Sequence, residues 1–221
     1  MFAECLGVCK GINSIIGSGG KTTLIRTLDD ELNENAKVLI TTTTHMFPYN
    51  DICCLLNPTL DDIYRFASDY QVLQIGNSSL NGKISNANVS LSGLLTVFDY
   101  ILIEADGSRG YPIKAHDINE PVIPADSSQI IEVIGADCFN LSIRERCHRP
   151  ELFSEIAGVK IDDTITPEIL GDVLNFENLS KTLFINKVEN IDRLYFSEKL
   201  ASFLKRKVCV GSLFRGDCIC L

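Results

Sequence analysis

The chain has 221 residues, 45% of them hydrophobic and 22% charged, which suits one folded domain with a full core. Its formal net charge of −9 and the lack of a basic cluster argue against non-specific nucleic-acid binding, which depends on lysine and arginine neutralising phosphates. No signal-peptide pattern opens the sequence, and no apolar run approaches the roughly 18 residues of a membrane helix. We therefore expect a cytoplasmic protein without a membrane partner.

Apolar runs suited to buried parallel strands alternate with helical patterns along the chain. The predicted strands cover residues 12–16, 38–40, 72–75, 100–103, 130–134, 182–185 and 208–210. The predicted helices cover residues 22–32, 60–67, 151–157, 167–174 and 197–205, with N-caps at Thr59, Thr166 and Ser197. This alternation predicts an α/β fold in which a mostly parallel sheet carries helices on both faces. The polar, turn-rich residues 76–92 are predicted to form a flexible surface excursion.

The first predicted strand runs into a glycine-rich turn, a lysine and a hydroxyl, which is the order of a phosphate-binding loop. Glycines let the backbone direct N–H groups at a polyphosphate, Lys21 would reach its β- and γ-phosphates, and Thr22 would place a hydroxyl on Mg²⁺. The usual pattern G-x-x-x-x-G-K-[ST] has a glycine where this chain has Ile15. The predicted phosphate-binding residues are Gly17, Ser18, Gly19, Gly20, Lys21, Thr22 and Thr23.

This loop in an alternating chain predicts a P-loop NTPase-like three-layer fold. No Pro/Gly-rich linker divides the sequence, so residues 1–221 are predicted to form a single P-loop nucleotide-binding domain. A second helical segment begins near residue 158. A small helical insertion or appendage around residues 140–180 is therefore kept as an option.

Two carboxylates and a glycine follow the predicted strand 100–103 in a Walker B-like pattern. Because ligands gather beyond the carboxyl ends of parallel strands, Glu104 and Asp106 are expected beside the phosphate-binding loop. Mg²⁺ prefers oxygen ligands, so Thr22 and Asp106 are the predicted metal-binding residues. Glu104 joins Lys21 among the predicted catalytic residues.

Hydroxyls and cations follow two neighbouring predicted strands. Thr43, Thr44 and His45 close a threonine run after the second strand, where they could contact phosphate, Mg²⁺ or an attacking water. Thr43 is the one predicted to be catalytic. Arg109 and Lys114 follow the fourth strand, and Arg109 is predicted to stabilise charge on a γ-phosphate, while an acidic second substrate is the alternative ligand.

An Asn-Lys-x-Glu segment follows the predicted strand 182–185 and is similar to the Asn-Lys-x-Asp element of guanine-nucleotide proteins. Asn186 and Lys187 are therefore predicted nucleotide-binding residues. Glu189 is one methylene longer than the aspartate of that element, so the sequence leaves the choice between ATP and GTP open.

Nine cysteines, an odd number, do not make a secreted disulfide framework, so we expect mostly reduced thiols. Adjacent residues such as Cys147 and His148 rarely ligate one metal, and no second pair has zinc-type spacing. Zinc is therefore not expected. The vicinal pair at 53–54 and the pair at 218 and 220 keep soft-ligand or redox roles as minor alternatives.

Six motifs together resemble the YqeC-type family, described as accessory proteins of selenium-dependent molybdenum hydroxylases. They stand at residues 17–23 (GSGGKTT), 41–46 (TTTTHM), 104–110 (EADGSRG), 114–116 (KAH), 120–124 (EPVIP) and 147–149 (CHR). The resemblance implies a cytoplasmic P-loop protein that assists selenium insertion into, or maturation of, a molybdenum-cofactor enzyme. It also implies NTP binding and hydrolysis, with a molybdenum hydroxylase or a cofactor intermediate as the partner.

The leading hypothesis is a Mg²⁺-dependent NTPase that couples the state of ATP or GTP to delivery of a cofactor component. Lys21 and the loop amides would hold the phosphates, while Thr22 and Asp106 organise Mg²⁺. The threonine run, Glu104 or Arg109 would sense the γ-phosphate.

Two alternatives stay open. A small-molecule kinase would use Lys114, His116, His148 and Arg149 as an acceptor pocket and would yield a phosphorylated product. A non-catalytic nucleotide-binding scaffold or carrier would dock on a hydroxylase and bind nucleotide without turnover.

Overall fold

The computed structural model describes residues 1–221. Its strands are β1 (Gly11–Gly17), β2 (Val38–Thr42), β3 (His45–Met46), β4 (Cys54–Leu56), β5 (Val72–Ser78), β6 (Ile84–Ser85), β7 (Tyr100–Glu104), β8 (Ile113–Lys114), β9 (Gln129–Gly135), β10 (Cys147–His148), β11 (Thr182–Asn186), β12 (Lys207–Ser212) and β13 (Asp217–Cys220). Its α-helices are α1 (Phe2–Leu6), α2 (Lys21–Leu32), α3 (Leu60–Asp69), α4 (Leu91–Leu94), α5 (Ile143–Arg146), α6 (Pro150–Ala157), α7 (Pro167–Glu177) and α8 (Ile191–Phe203). Every predicted strand is present within these bounds, which confirms the α/β prediction.

The predicted helix 197–205 is present, but its predicted start was wrong. Helix α8 begins at Ile191, where the side chain of Asn190 caps it by accepting a hydrogen bond from the backbone N–H of Arg193. Ser197 lies buried inside the helix and donates to the Arg193 carbonyl. The first turns were missed because Ile191 and Tyr195 are exposed, which obscures the helical periodicity. The N-caps predicted at Thr59 and Thr166 are confirmed.

The segment 76–92 is more regular than predicted. Strand β5 extends to Ser78, and β6 pairs with it in antiparallel fashion before β3 adds to the same edge. The buried side chain of Ile84 packs over Gly76, where a Cβ would meet it. Ile84, with Ala87, Val89 and Leu91 packed on the neighbouring cluster, thus holds the segment against the sheet edge.

Strand β1 lies near the centre of an eleven-stranded sheet with the order β13-β12-β11-β9-β1-β7-β2-β5-β6-β3, and β4 pairs with β5. The neighbours from β12 to β5 all pair in parallel, whereas β13, β6 and β3 pair in antiparallel fashion at the edges. The carboxyl end of β1 is thus flanked by β7 and β9. In an open parallel sheet this is the edge at which ligands gather.

Alternating side chains of the central strands divide the core into two faces. Ile15 packs with α1 and α2 on one face, while Ile12 and Ile16 pack with α3 and α4 on the other. The second face continues into a cluster in which α6, α7 and α8 cover β9, β11 and β12. Helices therefore cover both faces of the sheet, as a three-layer fold requires.

The helices between β9 and β11 share the apolar core with the sheet. Phe153 of α6 and Leu170 of α7 are buried in the same cluster as Leu183 and Ile185 of β11. None of the eight α-helices combines the length and apolar character needed to cross a membrane.

Candidate functional site

The turn between β1 and α2 is held in a compact form by its glycines. Gly17 and Gly19 have φ values of 88° and 79°, and a Cβ at Gly19 would collide with the backbone of Gly135. Gly20 stands at the N-cap of α2 with φ 128°, and no side chain caps this helix. The first N–H groups of a helix have no intrahelical partner, so those of α2 are available to an anion.

Lys21 is buried against the start of its own loop. Its Nζ donates a 2.5 Å hydrogen bond to the Gly17 carbonyl and lies 3.0 Å from Oδ1 of Asp106. Asp106 in turn accepts a 2.8 Å hydrogen bond from the Gly17 N–H. The loop is thereby tied to the segment that follows β7.

Glu104, at the end of β7, contacts the first turn of α2. Its Oε2 accepts a 2.8 Å hydrogen bond from the Thr22 hydroxyl. Burial raises the pKa of Glu104, and the charge of nearby Lys21 opposes that rise. A carboxylate and a hydroxyl, both hard oxygen donors, thus lie side by side where the end of β7 meets the start of α2.

Asp106 is the centre of a buried charge network. Its Oδ2 accepts hydrogen bonds from Lys114 at 3.1 Å and from Nε2 of His116 at 2.8 Å. Lys114 also pairs with Glu120 at 2.6 Å, and Nδ1 of His116 lies 2.8 Å from Glu177. Each charge removed from water here has an opposite partner and hydrogen bonds, which burial of ions requires.

The network fixes the protonation of two of its members. Burial alone would raise the pKa of Asp106, but the hydrogen bond from His116 and the charges of Lys21 and Lys114 hold it well below its usual range. Burial alone would lower the pKa of His116, but its bonds to Asp106 and Glu177 raise it to about 9. His116 is therefore a cation that donates from both ring nitrogens at neutral pH.

Arg149 extends this network toward α6. It pairs with Glu120 at 2.9 Å and with Asp117 at 2.8 Å. Sequence reasoning placed Lys114, His116 and Arg149 around a substrate, whereas in the structure they neutralise carboxylates of their own chain. The spacing of Lys114 and His116 did indicate that their side chains lie together, because residues two apart in an extended segment point to the same side.

A cleft of about 870 Å³ opens beside the loop at the carboxyl edge of the sheet. Its charged walls consist of four cations and a single carboxylate, in a protein whose net charge is −9. The charged lining residues are Lys21, Lys83, Arg109, Lys187 and Glu104. Arg109 and Lys83 have no ion-pair partner, so the cleft is suited to an anionic ligand.

The predicted site residues divide between the cleft and its support. Gly19, Gly20, Lys21, Thr22, Thr23, Glu104, Arg109 and Lys187 line the cleft. Gly17, Ser18, Asp106, Asn186 and Thr43 do not line it, and all of them except Thr43 are buried. The Ser18 N–H donates to the Val133 carbonyl, and its hydroxyl is buried.

The threonine run places its three candidate residues differently with respect to the cleft. The Thr43 hydroxyl donates to the Val122 carbonyl, and its N–H donates to the Glu104 carbonyl at 3.2 Å. Thr44 and His45 line the cleft. Thr43 thus positions the backbone that carries Glu104.

Asn186 braces the loop from the strand β11. Its Nδ2 donates to the Gly19 carbonyl at 2.8 Å, and its Oδ1 accepts from the N–H groups of Lys187 and Leu213. Lys187 reaches the cleft wall while pairing with Asp137 at 2.8 Å. Of these two neighbouring residues, Asn186 therefore supports the glycine-rich turn and Lys187 lines the cleft.

Comparison with known proteins agrees with the motifs that the site brings together. A sequence model described as YqeC protein matches residues 13–151. The chain is also 31% identical over 196 residues to Uncharacterized protein YqeC of Escherichia coli (strain K12), in an alignment covering 85% of this chain and 75% of the relative. The chain belongs to the YqeC family.

The YqeC match begins inside β1 and ends at the start of α6. It therefore contains the glycine-rich loop, Glu104 and most of the buried network. Two residues that support this core, Asn186 and Glu177, lie beyond the matched range. The site of this YqeC-family chain is completed by β11 and α7.

Proposed function

We propose that the chain binds a Mg²⁺-nucleoside triphosphate in the cleft and hydrolyses it. The observation that carries the proposal is the pairing of Thr22 with Glu104 at 2.8 Å, next to Lys21 and the uncapped start of α2. A polyphosphate needs N–H donors and a lysine, while its metal needs oxygen donors. The glycine-rich turn, the start of α2 and the end of β7 together offer all of them.

The donor set at the loop fits Mg²⁺. The Thr22 hydroxyl and the Glu104 carboxylate are hard oxygen donors of the kind this ion takes. Asp106, the carboxylate predicted from the sequence, already accepts hydrogen bonds from Gly17, Lys114 and His116. We therefore assign Mg²⁺ to Thr22 and Glu104, where it would neutralise phosphate charge.

The cleft cations supply the electrostatics of phosphoryl transfer. Arg109 and Lys83 face the cleft without a carboxylate partner, so an incoming phosphate does not have to displace one. Phosphoryl transfer depends mainly on positioning and charge stabilisation, which cations of this kind provide. Arg109 is assigned to the γ-phosphate, with Thr44 and His45 beside the attacking water.

The biological role is proposed from the family resemblance. It is an accessory factor, acting in the cytoplasm, for maturation of a selenium-dependent molybdenum hydroxylase or its cofactor. The kinase alternative is not favoured, because Lys114 and His116 have side chains only 1% and 3% exposed and do not line the cleft. A measurement of turnover distinguishes the proposed hydrolase from a non-catalytic scaffold, which would bind nucleotide without hydrolysing it.

Calorimetric titration of the reduced protein with Mg²⁺-ATP and Mg²⁺-GTP tests the binding. Lys21→Ala should weaken affinity roughly 10- to 150-fold, the worth of a hydrogen bond to a charged group. The fold should survive, because Lys114 and His116 still neutralise Asp106. Lys10→Ala is the matched control, since Lys10 is exposed and precedes β1. Equal affinities for the two variants would refute the site.

The metal assignment is tested on the same helix. Thr22→Ala should raise the Mg²⁺ concentration needed for half-maximal nucleotide binding, whereas Thr27→Ala, which alters a hydroxyl that only donates to the Thr23 carbonyl, should not. Phosphate release then separates the hypotheses. The hydrolase is supported if Arg109→Ala still binds nucleotide but releases phosphate more slowly than the wild type. The scaffold is supported if the wild type binds nucleotide without releasing phosphate, even beside a client hydroxylase.

A further inference from the structure

Four of the nine cysteines lie together, away from the cleft. Cys5 comes from α1, Cys209 from β12, and Cys218 and Cys220 from β13. None of them lines the cleft, so the proposed nucleotide site makes no use of them. Cys5 and Cys209 are 204 residues apart, which explains why sequence spacing pointed away from zinc.

The thiols are close enough to share one ion. The Sγ atom of Cys220 lies 3.7 Å from that of Cys5 and 3.0 Å from that of Cys209. All three sulfurs lie within 4.8 Å of one another. Zn²⁺ binds thiolates at about 2.3 Å, so two sulfurs of a tetrahedral site are about 3.8 Å apart. The Cys5–Cys220 pair already has this spacing, and the Cys209–Cys220 pair needs to open by less than 1 Å.

Local chemistry matches a thiolate site in three further ways. Cys218 stands two residues before Cys220 on β13, so both side chains are on the same face of the strand, and Cys218 packs against the apolar cluster that contains Cys209. Cys220 is exposed, which gives an ion a way in from solvent, whereas Cys209 is buried. The charge of Lys207 acts on Cys220 and would offset part of the negative charge of a zinc-thiolate cluster.

We propose that Cys5, Cys209 and Cys220 bind one Zn²⁺ ion, with Cys218 as the fourth ligand. The ion would join the first helix to the hairpin of β12 and β13. Such a closed, all-sulfur site is structural in type, because it leaves no position for a reacting water. This inference is independent of nucleotide binding.

The test is a titration of metal-free protein with Zn²⁺ under a phosphine reductant, in competition with a chromophoric chelator. We expect one ion per chain and a rise in melting temperature on binding, since the metal stabilises only the folded arrangement. Co²⁺ in place of Zn²⁺ should give the thiolate charge-transfer and visible bands of a tetrahedral sulfur site.

Variants identify the ligands. Cys5→Ser and Cys220→Ser should each weaken affinity more than about 100-fold, the upper range for merely disturbing a supporting contact. Cys9→Ser is the matched control, because Cys9 is an exposed cysteine that follows the same helix. The use of exposed Cys220 keeps the test valid even where Cys209→Ser does not fold. Absence of stoichiometric binding, or equal effects of Cys220→Ser and Cys9→Ser, would overturn the proposal.

Discussion

Titration of His116 should link the stability of the fold to pH. In the unfolded chain its pKa takes the ordinary value of 6.5, whereas the folded network raises it to about 9. The folded state therefore holds a proton that the unfolded state has lost between these two values. The stabilisation is complete below pH 6.5 and is lost as the pH rises through about 9.

The size of this effect follows from the two pKa values. The rise from 6.5 to about 9 corresponds to about 3 kcal/mol of unfolding free energy, and the slope between them is about 1.4 kcal/mol per pH unit. Between pH 7 and pH 8.5 the protein should thus lose about 2 kcal/mol through this one group.

Urea unfolding followed by circular dichroism measures the effect in the wild type and in His116→Gln. The pH dependence of the wild-type unfolding free energy does not report on His116 alone, because burial also raises the pKa values of Cys138 and Cys147. Their ionisation in the unfolded chain lowers stability at high pH in both proteins and cancels in the difference. The stability gap between the two proteins should shrink by about 2 kcal/mol from pH 7 to 8.5. Parallel curves over this range would refute the reasoning.

Three other changes probe the helix start, the loop and the core. Asn190→Ala should cost about 1 kcal/mol in urea unfolding, by removing a cap that Ser197 does not supply, and an unchanged midpoint would contradict the observed start of α8. Gly19→Ala should abolish nucleotide binding in calorimetry, because its Cβ collides with Gly135; retained affinity would show that the loop adjusts. Phe184→Ala should cost about 3–5 kcal/mol, since the ring is fully buried; a smaller loss in chemical unfolding would mean that the core collapses around the gap.

The central strands were predictable because parallel strands are buried on both faces and read as continuous apolar runs. Strands such as 38–40 and 182–185 needed no knowledge of their neighbours. The short edge strands had no such signal, since two or three residues make no periodicity. In β6 the buried residue that packs on the sheet edge is Ile84, and the sequence did not indicate its burial.

The residues of the candidate site also differ in how far the sequence alone could predict them. The glycine-rich turn was recognisable because its residues are consecutive, and Lys21 and Thr22 line the cleft, while their contact with phosphate stays a prediction. The contacts of Asp106 and Lys114 could not be predicted, because the direction of a charged side chain depends on partners that fold next to it. Lys114 looked like a free cation in the sequence, yet Asp106 and Glu120 neutralise it.

The central place of β1 has a consequence for the newly made chain. Its neighbours β7 and β9 are synthesised long after it, and the Asn186 brace on Gly19 comes 167 residues later than the glycine it holds. At ribosomal speeds of about 5–20 residues per second, this interval is roughly 8 to 33 s. Throughout that time the glycine-rich turn lacks its final support. A nascent chain should therefore gain affinity for nucleotide late, once the second half of the sheet has emerged.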